Sequence, residues 1–466
     1  MTMRTLSVLG ALSVLALAGC SATKDHSVAQ DPTSSPEPSI AQASLPRTAP
    51  GAISADSLSV AVTANNALAS DLYAHVLVNA PPGNLLTSPI SASLALTMAY
   101  AGAVGSTATE MAQALHFDPS IGSAIFDGQN ALSQALSARG ASALARAQQN
   151  AQYGNQPAPL ASDYDLDIVN SVWGEKTYTW EPPFLAILAQ SYGTGVYQED
   201  FMHAWDAARL AINDWVSSET KDKINDLLPE GSLDTNTRMV LVNALHLKFP
   251  WASTFEPANT MSGTFTRTDG TTVTASLMNQ TASFPYVDDG QAQIVALPLS
   301  NGDLSLLVAL PHAGVDLATY EASLSASSAA LSVPSTSALV ALSLPKADFT
   351  TQSLSLAKPL IGMGMKSAFD PNTADFSGLC AHPPDGATLY VADVLQKAMI
   401  SMQETGVEAA AATAVIVAGA TSTELQPPSP VPMVVDRPYL VALVDGPTGA
   451  VLMLGHIADP TDAGSP

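Results

Sequence analysis

Glu404-Thr405-Gly406-Val407-Glu408-Ala409-Ala410-Ala411-Ala412-Thr413-Ala414-Val415-Ile416-Val417 is the stretch around which the chain is organised. Its two halves favour different structures. The alanine run favours helix, because alanine has the best helix propensity. Thr413 to Val417 favours strand, because it is rich in β-branched side chains. Gly406 stands near the start, and Gly419 with a Ser/Thr/Pro-rich run from Thr421 to Pro432 follows. A strand written in small residues and then placed in a loop reads as a strand held in reserve.

The chain has 466 residues, 47% of them hydrophobic, which is ample for a large core in one domain or two. Its net charge is −24 with 12% charged residues. An acidic surface repels nucleic acid, anionic polysaccharide and anionic lipid alike, so none of these is an expected partner. Met1 to Cys20 reads as a secretion signal: Arg4 gives the positive charge, Leu6 to Leu17 the apolar stretch, and small residues the cleavage region. That apolar stretch is too short to span a membrane comfortably. Leu17-Ala18-Gly19-Cys20 resembles a bacterial lipobox, which implies a signal peptide over residues 1–19 and a lipid on Cys20. By resemblance to enteric-type lipoprotein sorting, Ser21 after the Cys implies the outer membrane or cell surface, with the domain outside the cytoplasm. With Cys20 lipidated, Cys380 has no cysteine to pair with and reads as a small buried apolar residue. Residues 20–56 are rich in Ser, Ala, Pro and Thr and read as a disordered tether.

From Leu58 onward the pattern is α+β, helices first and strands later, in one large domain. Ser88 is placed to cap a helix that has Pro89 in its first turn. Phe117 to Asp165 is poorly patterned and is expected to hold a helix and a long surface loop. Arg238 to Phe249 is a nearly continuous apolar run, which fits a strand covered on both faces. Catalytic signatures are missing: there is no H-E-x-x-H, G-x-S-x-G, C-x-x-C or phosphate-binding loop. The eight histidines lack metal-ligand spacing, and His246 reads as a satisfied core residue. No cofactor and no metal are expected, and nothing recommends an enzyme.

Several blocks then add up to a family. Asn84 to Phe117 resembles the N-terminal signature of serpins. Asn170-Ser171-Val172-Trp173, Leu241-Val242-Asn243-Ala244 with Trp251, and Gly364 to Gly378 resemble serpin blocks in the same order. So do Asp436-Arg437-Pro438-Tyr439 and Gly455-His456-Ile457-Ala458-Asp459-Pro460. The resemblance covers residues 57–460, leaving 461–466 as a tail. It implies three β-sheets, about eight or nine helices and an exposed reactive loop at about residues 404–435. It also implies inhibition by suicide: a protease cleaves and acylates the loop, which then inserts as a new central strand and carries the protease with it. On this resemblance, insertion releases strain stored in the uncleaved fold.

The opening stretch meets that requirement. By resemblance, Val407 begins the set of side chains that turn inward on insertion. A period of two then gives Val407, Ala409, Ala411, Thr413, Val415 and Val417, none charged, with Glu408 on the other face. The family's spacing puts the scissile residue fourteen beyond Gly406, at Ala420, with Thr421 on the leaving side. A small residue there fits elastase-like or subtilisin-like serine proteases. The proline-rich arm from Glu424 to Met433 is longer than usual, and Gly419, Thr421, Ser422 and Leu425 remain alternative cleavage positions. The resemblance gives Ser88, Ser91 and Asn243 to a polar cluster beneath the point where the sheet opens, and Trp251 to the place where the strand enters. Gln396 stands where the family usually has histidine, and an amide does not titrate near neutral pH. A monomer without heparin-type activation is expected. The alternative reading is a non-inhibitory serpin-fold binding or structural lipoprotein.

Overall fold

The computed structural model describes residues 38–80, 82–154, 158–300, 302–325, 327–407 and 429–464. The first element, β1 (Ser39–Ala41), pairs antiparallel with a much later strand, and Thr48 N donates to Gln190 O at 2.8 Å. The tether expected over residues 20–56 is therefore corrected: from residue 38 the chain is part of the domain. Composition misled here because these bonds use backbone groups and need no large apolar side chain.

Helix α1 (Ala55–Leu77) starts at Ser54, whose side chain accepts from Ser57 N, and buries Leu68, Leu72, Tyr73 and Val76. Strand β2 (Leu85–Thr87) leads into α2 (Pro89–Tyr100), capped by Ser88 with Pro89 in the first turn, as the sequence predicts. Residues Pro89 to Ala99 are all buried, which suits a helix apolar on every side. Then come α3 (Gly105–Ala114), α4 (Ala124–Ser137) and α5 (Arg139–Gly154). The last two fill the region expected to hold one helix and a loop. Alanine supplies helix propensity there without an apolar pattern to read. Among the described residues α5 buries only Gly140 and Ala143, and it is held by ion pairs from Arg139 to Asp445 and from Arg146 to Asp303.

Strand β3 (Asp165–Glu175), α6 (Pro182–Ile187), β4 (Val196–Glu199), α7 (Phe201–Glu219) and β5 (Met239–Pro250) follow. The chain continues through β6 (Met261–Thr266), β7 (Thr272–Asp288), β8 (Ala292–Pro298), β9 (Leu304–Pro311) and α8 (Leu317–Ala322). Next are β10 (Ser337–Pro345), β11 (Ala347–Thr350), β12 (Leu354–Ser355), α9 (Ala357–Gly362), β13 (Val394–Gln403) and β14 (Gly406–Val407). After residue 428 the chain returns as β15 (Val431–Val434), β16 (Tyr439–Asp445) and β17 (Ala450–Ile457).

These strands form two continuous sheets. One has the order β1-β4-β3-β5-β14-β13-β11, with β12 also on β13. The other runs β15-β10-β7-β8-β9-β16-β17-β2, with β6 also on β7. The second and third sheets of the expected three are joined because β7 is 17 residues long: its first part pairs with β6 and β10, its last three residues with β8. The nine α-helices among the described residues agree with the expected number.

The apolar run of β5 is covered on both faces. Leu245, Leu247 and Phe249 join the core between the sheets, while Val240, Val242 and Ala244 pack with Ile212 and Val216 of α7. His246 is 2% exposed and sits beside Asp167. Cys380 is a free buried thiol whose pKa is raised first by burial, so it is the unreactive apolar filler that the sequence suggests.

Candidate functional site

The site is a seam between two parallel strands. Strands β5 and β13 pair directly from Leu241 with Val394 to Leu245 with Ala398, and Asn243 stands opposite Gln396. Further along, β14 lies between them: Val407 pairs with Phe249 on one side and with Met402 on the other, antiparallel to both. The seam is thus closed at one end and held open by two residues at the other.

Gly406 is required at that open end. A Cβ built on it would lie 2.3 Å from Phe249 O and 2.5 Å from the Cα of Pro250. Val407 beyond it is 2% exposed and packs in the core with Phe249 and Met402. Burial of such a side chain contributes about 2 kcal/mol.

The turn before β14 is gripped from several directions. Trp251 donates from Nε1 to Gln403 O at 2.8 Å and from its backbone N to Thr405 O at 3.0 Å. Phe255 N donates to Glu404 O at 2.8 Å. The Glu404 carboxylate takes an ion pair from Lys346 at 2.9 Å and a hydrogen bond from Thr260 Oγ1 at 2.9 Å. Partial burial opposes its ionisation, but the hydrogen bonds, led by the one from Lys346, outweigh that and hold its pKa below the usual carboxylate value. Lys346, Thr260 and Phe255 went unseen in the sequence. They come from three separate stretches, and no local spacing marks residues that meet only after folding.

The closed end is fastened by the polar cluster. Gln396 Oε1 accepts from Ser88 N, and Gln396 Nε2 donates to Ser88 O and to Asn243 Oδ1, each at 2.8 Å. Ser88 Oγ lies 2.8 Å from Ser91 Oγ and 3.1 Å from Leu452 O. Ser88, Ser91 and Asn243 are fully buried and Gln396 is 1% exposed. The four residues named from the sequence do converge. Asn243 Nδ2, however, finds no acceptor among the described residues. A buried amide hydrogen left unpaired costs about 1–3 kcal/mol.

Glu404, Gly406 and Val407 are therefore located, as is Trp251 at the open end. Glu408, Ala409, Ala410, Ala411, Ala412 and Thr413 of the hinge lie outside the described residues, as do the reactive bond Ala420–Thr421 and the lipidation candidate Cys20.

This arrangement can be set beside known proteins. The family description Serpin (serine protease inhibitor) matches residues 63–460. The chain belongs to the serpin family. Serpins are protease inhibitors rather than enzymes, consistent with the missing catalytic signatures. An uncharacterised serpin-like protein of Thermococcus kodakarensis is 31% identical over 99% of this chain and 100% of its own length. Leukocyte elastase inhibitor of Bos taurus is 32% identical, over 85% of this chain and 98% of its own. The crystal structure of the thermophilic serpin tengpin in its native state superposes with a TM-score of 0.72 at 24% identity, covering 85% of this chain and 94% of that one.

Proposed function

We propose that this serpin inhibits serine proteases that prefer a small residue, of the elastase or subtilisin kind, by suicide-substrate trapping. The protease serine attacks the carbonyl carbon of Ala420, the bond to Thr421 N breaks, and the leaving amine takes the proton. The chain up to Ala420 is then held to the protease as an ester. Insertion of the residues after Val407 between β5 and β13 moves the attached protease and stops it from completing hydrolysis.

The observation that carries this reading is β14. It is the first two residues of the reserve strand, already seated between β5 and β13 in a register that further residues can extend. Extended six residues along both strands, the same register would set Thr413 opposite Asn243 and Gln396, the pair that now close the seam. Thr413 is the hydroxyl-bearing member of the inward set, and on insertion it would meet the polar cluster. Its oxygen offers Asn243 Nδ2 the acceptor that the closed seam lacks. The other inward residues are Val and Ala, matched to an apolar core.

The elastase preference draws on Ala420 and on the bovine relative, which is named for leukocyte elastase. We place the protein in the cell envelope as a monomer, anchored by lipid on Cys20 at the outer membrane or cell surface. The test is incubation with pancreatic elastase or subtilisin followed by boiling in SDS. The expected result is an adduct at the summed mass less the segment from Thr421 onward. Clean cleavage without an adduct for every protease in a panel rejects trapping and favours the non-inhibitory lipoprotein.

A further inference from the structure

The sheet that contains the seam is open, and an open sheet offers unpaired N–H and C=O groups along its outer strands. At the end formed by β4, a segment from near the start of the sequence covers them. Ser39, Ile40 and Ala41 pair antiparallel with Gln198, Tyr197 and Val196. The fit depends on Gly195, where an added Cβ would lie 2.2 Å from Ala41 O. The segment is then fastened to the body of the domain. Arg47 donates to Asn130 Oδ1 at 2.9 Å and to Ser133 Oγ at 2.5 Å, and Thr48 O accepts from Asn130 and Gln134. At the opposite end the chain does something similar: Thr350 of β11 bridges to Gly464, and Thr350 N donates to Ala463 O at 3.1 Å.

The covering strand is itself a poor template. It is three residues long, preceded by Pro38 and followed closely by Pro46, neither of which has an N–H to offer. What it hides is better suited to pairing. Strand β4 is backed by β3, and a two-fold antiparallel copy of β4 would set Val196 against Glu199 and Tyr197 against Gln198. That pairing brings no like charges opposite one another, and it uses the same side of β4 that β1 now occupies, in the same antiparallel sense.

We propose that residues 38–48 are an edge cap, and that the partner they exclude is a second copy of this chain, paired β4 to β4 about a two-fold axis. The cap keeps the protein monomeric with the sheet intact.

The test uses the chain from Ser21, so that no lipid is attached, and measures molar mass by light scattering over a hundredfold range of concentration. Three proteins are compared: this chain, Gly195→Val, and a deletion of residues 21–48. The cap predicts one-chain mass for the first and a rise to two chains or more for both variants. A synthetic peptide of residues 38–48 should return the deletion variant to one-chain mass. Variants that stay at one-chain mass at every concentration overturn the proposal, whatever happens to their stability. Association that the peptide does not reverse overturns it too, because assembly then runs through another surface. If Gly195→Val loses its far-ultraviolet circular dichroism, the deletion and its peptide rescue decide alone. The result is independent of protease trapping, which the adduct assay reads separately.

Discussion

The two ends of one seam are held in different ways. At the Phe249 end, β5 and β13 are parted by two residues, and the turn that delivers them is held mainly through backbone carbonyls of Gln403, Glu404 and Thr405. At the Asn243 end the strands touch, fastened by side-chain amide and hydroxyl groups that have no solvent to replace them. Backbone contacts tolerate any uncharged residue that follows. The buried polar cluster tolerates only a residue that can satisfy it, since an unpaired polar group there is costly. On the proposed mechanism, the difference teaches where insertion would begin and where it would have to be admitted. Gly406 and Val407 are in place at no cost to the amide cluster, and an inserting strand would meet its next obstacle where Thr413 would come opposite Gln396.

The largest expected effect comes from breaking that match. Thr413→Arg would carry a charge to the seam between Asn243 and Gln396, and a buried unpaired charge is prohibitive. Elastase should then cleave the loop and depart, so the SDS-stable adduct disappears while cleavage continues. Glu408→Lys, on the other face of the same strand, should leave the adduct in place. Loss of adduct in both variants, or in neither, would show that the alternation of faces does not govern insertion.

Gln396→Ala acts on the closed end alone. It strands Ser88 N and Asn243 Oδ1 in the core, while Ser88 O keeps its bond from Ala92 N, at a cost of about 3 kcal/mol. Urea unfolding should show the loss. A change below about 0.5 kcal/mol would mean that the cluster does not fasten the seam. Gly406→Ala acts on the open end, where the added methyl meets the backbone of Phe249 and Pro250. Overpacking of this kind costs about 1–3 kcal/mol. The expected outcome is withdrawal of β14, read as faster hydrogen exchange at the amides of Trp251 and Phe255, with the amides of Asn243 and Gln396 unchanged.

The smallest effect concerns pH. The pKa of Glu404 is depressed in the folded chain, so its contribution to stability is present above the ordinary carboxylate pKa and is lost as pH falls through the lower folded value. Glu404→Gln should be less stable than this chain at pH 7 by up to about 1 kcal/mol, because the ion pair with Lys346 is partly exposed. The difference should shrink below the ordinary carboxylate range and vanish once the folded chain's Glu404 is protonated. A difference that persists unchanged into acid would assign Glu404 a role other than its charge.

Much of this was legible in the sequence because the signals were local or periodic. Ser88-Pro89 announced a helix start, and the run from Arg238 to Phe249 announced a strand covered twice. Family motifs brought Ser88, Ser91, Asn243 and Gln396 together from three distant stretches, which spacing alone does not do. The rest depended on contacts with no local pattern. Residues 38–54 looked like linker because their fastening is backbone pairing and one half-buried arginine. The clamp on Glu404 was invisible because Lys346 and Thr260 are ordinary surface residues until the sheets meet.

The central claim is that cleavage in the loop turns a reserve strand into a buried one. Thermal unfolding before and after a single cut between Gly419 and Leu425 tests it most directly. Insertion predicts a large upward shift of the unfolding temperature in the cut protein, together with new hydrogen-exchange protection from Glu408 to Val417. An unchanged unfolding temperature, with no gain of protection in that segment, would contradict it.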